Sequence, residues 1–370
     1  MNFRDIRQEE AANSWFYSER KSMINSCPRF GKIKTSILIM QKIQAKKVLC
    51  AAPRIEVIKS WKSDLEKWGF EVDIEYVTHT SIDKYKDWKG DLFIIDESHE
   101  LSLNEIRKTK QIVNNNPVLA LDGTVTKKTR NKLEEELGIS TCYRYSINKG
   151  VEEGILCDYN ITIHLVDLDN KTRYIDSKKG LLTEKVRFDQ LLYVKNKMEE
   201  EDKSYFHIDL KIISLLQNSI AKKIKTIELL NQSKNERVLV FCGSTNIADS
   251  LGIPTYHSKS KEKKIFEDFC NGSGTHLATI KMMDSGVTIL PISKGLVNYT
   301  SGSPEETGQK LCRFLGIEYN TLNKKADLHI ICSDTDFEKS RIKTALLFFD
   351  ENKITWKKEN LKSRIGYLNN

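Results

Sequence analysis

The sequence predicts an α/β protein with two domains, each a mostly parallel sheet flanked by helices. The prediction rests on two separate series of short apolar runs, on the helical patterns between them, and on a length of 370 residues, enough for two cores. The first series comprises Ser22 to Ser26, Lys47 to Ala52, Val72 to Val77, Leu92 to Ile95 and Val118 to Leu121. Runs this short, rich in β-branched residues and separated by helical sequence, read as buried strands of βαβ units. The second series comprises Arg237 to Cys242, Thr275 to Ile280, Leu296 to Tyr299 and Asp327 to Cys332. The stretch between them holds one strand pattern, Ile161 to Val166, and then charged helical sequence. The expected division is therefore 1–150 for the first domain, 151–232 for a linker with accessory helices, 233–345 for the second domain and 346–370 for a basic tail or helix.

Composition narrows the class. With 39% hydrophobic and 30% charged residues the chain reads as globular, and no stretch approaches the roughly 20 apolar residues that span a bilayer. The start, Met1-Asn2-Phe3-Arg4-Asp5, lacks the apolar core of a signal peptide, which predicts a cytoplasmic protein with no membrane partner. The eight cysteines never form a Cys-x-x-Cys pair and mostly lie in or beside apolar runs, so neither zinc nor disulfides is implied. A net charge of +8 is compatible with a polyanionic partner without demanding one. The runs Lys222-Lys223-Ile224-Lys225 and Lys259 to Lys264 read as solvated helix faces. Lys339 to Arg364 is the better nucleic-acid candidate, with eight basic residues against three acidic ones and Phe348, Phe349 and Trp356 among them.

Chemistry is concentrated in two places. Asp96-Glu97-Ser98-His99 follows the apolar run Leu92-Phe93-Ile94-Ile95, so a buried strand delivers two carboxylates to its end. One carboxylate can hold Mg2+ through its water shell while the next polarises an attacking water. A strand ending in acids also arises by chance in α/β proteins. The first strand runs into Ser26-Cys27-Pro28-Arg29-Phe30-Gly31-Lys32-Ile33-Lys34-Thr35, and a helical pattern follows. Strand, Gly-Lys turn and helix form a phosphate cradle, with backbone N–H groups and a lysine facing the anion. The motif is degenerate: Ser26 stands at its first glycine, and Ile33 stands where a hydroxyl would ligate Mg2+. Both segments can meet at the carboxyl edge of one sheet.

With these motifs in place, the chain resembles the superfamily 2 helicases and translocases, nearest in style to small phage-type DNA helicases and remodeller-like motors. The resemblance covers about Arg4 to Asp336 apart from the middle segment, and implies two RecA-like domains with ATP in the interdomain cleft. Arg4, Gln8-Glu9-Glu10-Ala11 and Trp15 resemble the adenine-reading element, with Gln8 as the base-contacting amide; an amphipathic first helix accounts for them equally well. Ala51-Ala52-Pro53-Arg54 and Thr78-His79-Thr80-Ser81 resemble elements that touch the phosphodiester backbone. Leu121-Asp122-Gly123-Thr124-Val125-Thr126 resembles the Gly-Thr motif that links hydrolysis to domain movement, giving coupling roles to Thr124, Thr126 and His99. In the second half, Val238 to Thr245, His257-Ser258 with Phe266 and Phe269, Leu277 to Ile280, and Asp284-Ser285-Gly286-Val287-Thr288 resemble the later motifs in order. Ser303 to Arg313 resembles the Gln-x-x-Gly-Arg-x-x-Arg helix. It departs from that pattern at Cys312, where glycine is usual, and at Gly316, the place of the second arginine.

The resemblance implies ATP and Mg2+ as cofactors. Gln8, Ser26, Cys27, Pro28, Arg29, Phe30, Gly31, Lys32, Ile33 and Gly286 would line the nucleotide, Asp96 would position the metal, and Glu97 would orient the water. Gln309 and Arg313 would complete the site from the second domain. Pro53, Arg54, Thr80, Ser244, Thr245 and Thr279 would contact nucleic acid, with DNA favoured over RNA, and a monomer is expected. The rivals are an RNA helicase of the same superfamily and a non-catalytic nucleic-acid-binding protein with a relic nucleotide site. A nucleotide kinase is disfavoured, since it needs no second α/β domain.

Overall fold

The computed structural model describes residues 2–177, 180–260, 263–280, 292–317 and 324–359. The chain divides into two compact units: 1–158 with 284–288 and 304–323, and 159–283 with 289–303 and 324–370.

In the first unit, α1 (Phe3–Phe16) precedes β1 (Lys21–Ser26), α2 (Lys32–Ile43), β2 (Lys47–Ala52), α3 (Ile55–Lys67) and β3 (Asp73–Thr78). Then come β4 (Leu92–Asp96), α4 (Leu103–Asn115), β5 (Val118–Asp122), α5 (Lys127–Leu137), β6 (Ser140–Tyr145) and α6 (Ile147–Glu152). The six strands lie in the order β3-β2-β4-β5-β1-β6, every neighbouring pair parallel. β4 and β5 are buried along their whole length, as strands covered by helices on both faces must be. Because β5 separates β1 from β4, the loops after all three strands emerge side by side at the carboxyl edge, where ligands of open α/β sheets bind. The helices are set by local chemistry: Ser102 and Glu105 form a reciprocal capping box on α4, and the Thr126 side chain caps α5. On α1, Trp15 is fully buried and its indole donates to Val118 O at 2.9 Å, fixing that helix to the sheet.

The second unit contains β7 (Asp158–Val166, its first residue still in the first unit), α7 (Glu184–Glu200), α8 (Phe206–Gln217), α9 (Ile220–Gln232), β8 (Val238–Phe241), α10 (Thr245–Asp249), β9 (Thr255–Tyr256), α11 (Lys263–Cys270), β10 (His276–Thr279) and β11 (Lys294–Val297). After α12 (Pro304–Cys312), whose contacts assign it to the first unit, the second unit resumes with β12 (Lys325–Ser333), α13 (Asp336–Ala345) and β13 (Ile354–Lys358). Its seven strands run β13-β7-β12-β11-β8-β10-β9. The expected fold class, two mostly parallel sheets flanked by helices, is the observed one.

Three assignments differ from the sequence reading. β7, expected in a linker, pairs with β13 in the second sheet because its alternating inward residues Tyr159, Ile161 and Ile163 are fully buried. Part of the expected basic tail is β13 itself, an edge strand whose lysines face outward, as edge strands commonly do. α12 was expected within 233–345 as part of the second domain, yet its polar side chains bind the first unit. The cysteines are free thiols, all buried but Cys142, which is half-buried. No helix of the described residues is long and apolar enough to cross a membrane.

The Lys222 to Lys225 run, read as a solvated face, is partly internal. Lys222 is fully buried and its ammonium meets Glu338 Oε1 at 2.6 Å, while Glu338 also accepts from Ser333 N at 2.8 Å. Removing one member of such a pair strands the other charge in the core. Lys222→Met is therefore expected to destabilise the second unit by about 3 kcal/mol, read as a lower urea midpoint, and an unchanged midpoint would show that the pair contributes nothing net.

Candidate nucleotide site

The site is built on the loops after β1, β4 and β5. Gly31 takes φ 96° at the N-terminus of α2, a left-handed conformation that glycine adopts without strain. A side chain there would also collide with Gln8, whose Nε2 donates to Phe30 O at 2.7 Å. No side chain caps α2, so its first N–H groups remain directed at the loop, the arrangement that suits an anion. Gln8 is thus buried on α1 and braces the loop. Ser26 ends β1 fully buried, and its hydroxyl has no partner. Cys27, Pro28, Arg29 and Phe30 form the turn; burial pushes the Cys27 thiol up to about 12, and Phe30 packs against Tyr145.

Lys32 is the centre of the charge arrangement. Its ammonium lies 2.6 Å from Glu97 Oε1 and 3.7 Å from Asp96 Oδ1. Burial works against its charge, but the two carboxylates outweigh it and raise the Lys32 pKa. Glu97 is likewise penalised by burial, but Lys32 and His99 hold it below the usual carboxylate range. Asp96 is raised instead, because burial and the neighbouring Glu97 charge exceed the help from Lys32 and the Trp61 hydrogen bond. Each Asp96 oxygen is fixed: Oδ2 accepts from Trp61 Nε1 at 2.8 Å and Oδ1 from the Glu97 N–H at 3.0 Å. Glu97 itself takes φ 50°, a strained conformation for a non-glycine residue that turns its side chain at the strand end.

Asp122 was not a site residue in the sequence reading, though it ends a buried strand beside the acidic one. Fully buried, it accepts from Ser98 Oγ, from His99 N at 3.0 Å and pairs with His99 Nδ1 at 2.8 Å. Asn25 was also missed; its amide donates to Gly123 O. Together they lock the loop after β5 to the acidic loop. Burial alone would lower the His99 pKa, yet Asp122 and Glu97 raise it to about 9. Glu97, His99 and Asp122 bring metal-ligand-type atoms within 4.8 Å of one another. Their hydrogen bonding already accounts for that closeness. The Thr124 hydroxyl is buried without a partner.

α12 approaches the same residues. Gln309 Nε2 donates to Glu97 Oε2 at 3.2 Å, and Glu305 Oε1 accepts from Thr126 N at 3.0 Å and Thr129 Oγ1 at 3.1 Å. Arg313 lines the same cavity of about 1060 Å³ as Gln8, Lys32, Asp96, Glu97 and Gln309. Ile33 lines it too, with no oxygen to offer a metal. Gly316 is packed against Arg29: a Cβ built there would lie 3.2 Å from Arg29 Nε. The space of the missing second arginine is thus bordered by a guanidinium from the loop, itself held at φ 68°. Gly286 lies outside the described residues.

The residues expected to meet nucleic acid are distributed over both units. In the first, Pro53 and Arg54 follow β2 and Thr80 follows β3 at the carboxyl edge; Arg54 pairs with Glu100 at 3.1 Å, and Thr80 Oγ1 lies 3.1 Å from Thr78 Oγ1. In the second, Ser244 caps α10 and donates to Asn218 at 2.7 Å, and Thr245 is the first residue of that helix. Thr279 is fully buried with an unpartnered hydroxyl, so it presents nothing to solvent.

A phosphate-type loop and paired acids at a neighbouring strand end mark a candidate nucleotide site on the parallel sheet of the first unit. No family model matches the chain. It is 25% identical over 345 residues to the DNA 3'-5' translocase XPB2 of Sulfurisphaera tokodaii, covering 83% of this chain and 77% of that protein. Its fold is similar to that of S. cerevisiae Dbp5 bound to RNA and ADP BeF3, with a TM-score of 0.62, 12% identity and coverage of 95% of this chain and 89% of that one. It is also similar to a fragment of a putative HsdR subunit of a type I restriction enzyme from Vibrio vulnificus YJ016, with a TM-score of 0.60, 16% identity and coverage of 96% and 67%. The relative and the shared fold support a superfamily 2 helicase-like protein built from two RecA-like domains.

The His99 geometry has a thermodynamic consequence. Its folded pKa, about 9, exceeds the ordinary 6.5, so the stability it contributes is complete below pH 6.5 and is lost as pH rises through 9. Thermal melts of the wild type and His99→Gln should converge between pH 6.5 and 9. A gap that widens in that window would contradict the assignment.

Proposed function

We propose that the chain is an ATP-dependent DNA helicase or double-stranded DNA translocase. The observation that carries the reading is the half-buried contact of Lys32 with Glu97 and Asp96 at the N-terminus of α2, with Gln309 on the far oxygen of Glu97. The likeness to a DNA translocase over 83% of the chain favours DNA over RNA.

The residues present fit a magnesium nucleotide. Two hard carboxylates flank a lysine, and the buried Ser26 and Thr124 hydroxyls, which have no partner within the protein, are suited to a polar ligand. Bound Mg2+ would supply charge neutralisation across the phosphates. Lys32 would exchange Glu97 for the β- and γ-phosphate oxygens. Glu97, released from the ammonium and steadied by Gln309, would orient the attacking water and accept its proton. Asp96 would hold the metal, and Arg313 would neutralise charge on the transferring phosphoryl group. Gln8, with Phe30 O on its amide, would shape the end of the cavity that receives the base. His99 and Thr126, bound to Asp122 and Glu305, would pass the change at Glu97 to α5 and α12. Pro53, Arg54, Thr80, Ser244 and Thr245 would meet the nucleic-acid backbone, so binding would be salt-sensitive and weakly sequence-selective.

Phosphate release should be stimulated by duplex DNA, and stimulation by RNA alone would sink the DNA reading. Lys32→Ala and Glu97→Gln should each lower kcat by roughly 100-fold or more. Unchanged release in both variants would assign the activity to another source and favour a relic nucleotide site. Asp96→Ala should be at least as damaging as Lys32→Ala, because Ile33 offers the metal no second anchor; retained Mg-ATP hydrolysis would refute that division.

A further inference from the structure

We propose that Trp61 is a positioning residue for the divalent cation, its indole N–H fixing the Asp96 carboxylate in a loop that lacks a hydroxyl after its lysine. The inference rests on the nucleotide-site reading above and deepens it.

Trp61 lies on α3, far in sequence from both the loop and the acids, and is fully buried. Its Nε1 meets Asp96 Oδ2 at 2.8 Å, and it borders the same cavity as Lys32, Ile33 and Asp96. A hydrogen bond to an ionised acceptor in such a setting is stronger and more directional than a neutral one. Where Ser or Thr follows the loop lysine, the metal has a hydroxyl in addition to the carboxylate. Here that position is Ile33, so protein anchoring falls on Asp96 and the orientation of one carboxylate sets the metal's position. Oδ2 is held by the indole and Oδ1 by the Glu97 N–H, which stops rotation of the group. A carboxylate carries about four lone-pair sites, so these bonds leave room for a metal-bound water. The N-cap of α3 is Arg54, paired with Glu100 three residues beyond Glu97. α3 is thereby tied twice to the acidic segment, and the indole is placed by more than its own packing.

The test is the Mg2+ dependence of ADP binding, measured by calorimetry on the full chain. Trp61→Phe removes the donor and keeps an aromatic ring. It should raise the Mg2+ concentration for half-maximal binding about tenfold while leaving ADP affinity in EDTA within twofold. Adding Ile33→Ser to Trp61→Phe should recover at least half of that change. A wild-type Mg2+ dependence in Trp61→Phe overturns the proposal, as does an equal loss of affinity in EDTA, which a purely structural role would give. Should Trp61→Phe not fold cooperatively, the native chain answers: the assigned Trp61 indole N–H resonance should move when Mg2+ is added to the ADP complex, and a static resonance overturns the proposal. A wild-type chain that binds no nucleotide under either condition would instead defeat the nucleotide-site reading.

Discussion

One ammonium group lies between two carboxylates at the wall of a cavity, and the first unit is organised around keeping it there. A half-buried charge with no partner would be costly, and two adjacent carboxylates without a cation would repel each other. Lys32 resolves both problems, but only if β1 and β4 end at the same level of the sheet, since it reaches Glu97 at 2.6 Å and Asp96 at 3.7 Å. The register through β5 sets that level, with Ile24 and Asp96 both opposite Leu121. Asp122 then brings a third carboxylate into the neighbourhood, and His99 offsets it. The cluster is thus self-satisfied: every charged group in it has a partner of opposite sign within it.

Much of the fold was legible because buried parallel strands read as uninterrupted apolar runs: β1, β2, β4 and β5 fall close to where Ser22 to Ser26, Lys47 to Ala52, Leu92 to Ile95 and Val118 to Leu121 placed them. β6 was not legible, because Ser140–Tyr145 mixes hydroxyl, aromatic and charged residues on a half-buried edge. β13 was obscured by its own lysines. Within the site, the loop and the acids announce themselves through type and spacing. Asp122 and Asn25 do so weakly, since single polar residues at strand ends are common. Trp61 gives no sequence signal for its contact with Asp96, because 35 positions of chain separate them. For α12, sequence order gives its place in the chain, between β11 and β12, but not the partners of Glu305 and Gln309, which are chosen by charge and geometry.

The departures from the resembling motifs are packed features. Ile33 lies in a cavity whose acidic residue is held from α3 instead. Gly316 faces the Arg29 guanidinium, and Cys312 is a fully buried thiol on α12 whose pKa burial drives far up, although Arg29 opposes the rise. A larger side chain at 316 would need Arg29 to move by a few tenths of an ångström. The loop and the α12 region are thus packed against each other, and a side chain at 316 would meet the Arg29 guanidinium.

Two residues of the site, Arg29 and Glu97, hold left-handed backbone conformations that glycine would occupy without strain. Each forgoes roughly 1 kcal/mol to keep a side chain in place. Glycine at either position would relax the backbone and remove the group whose direction the strain defines. At position 97 that relief would be offset by the loss of the carboxylate 2.6 Å from Lys32, so there the strain and the ion pair come together.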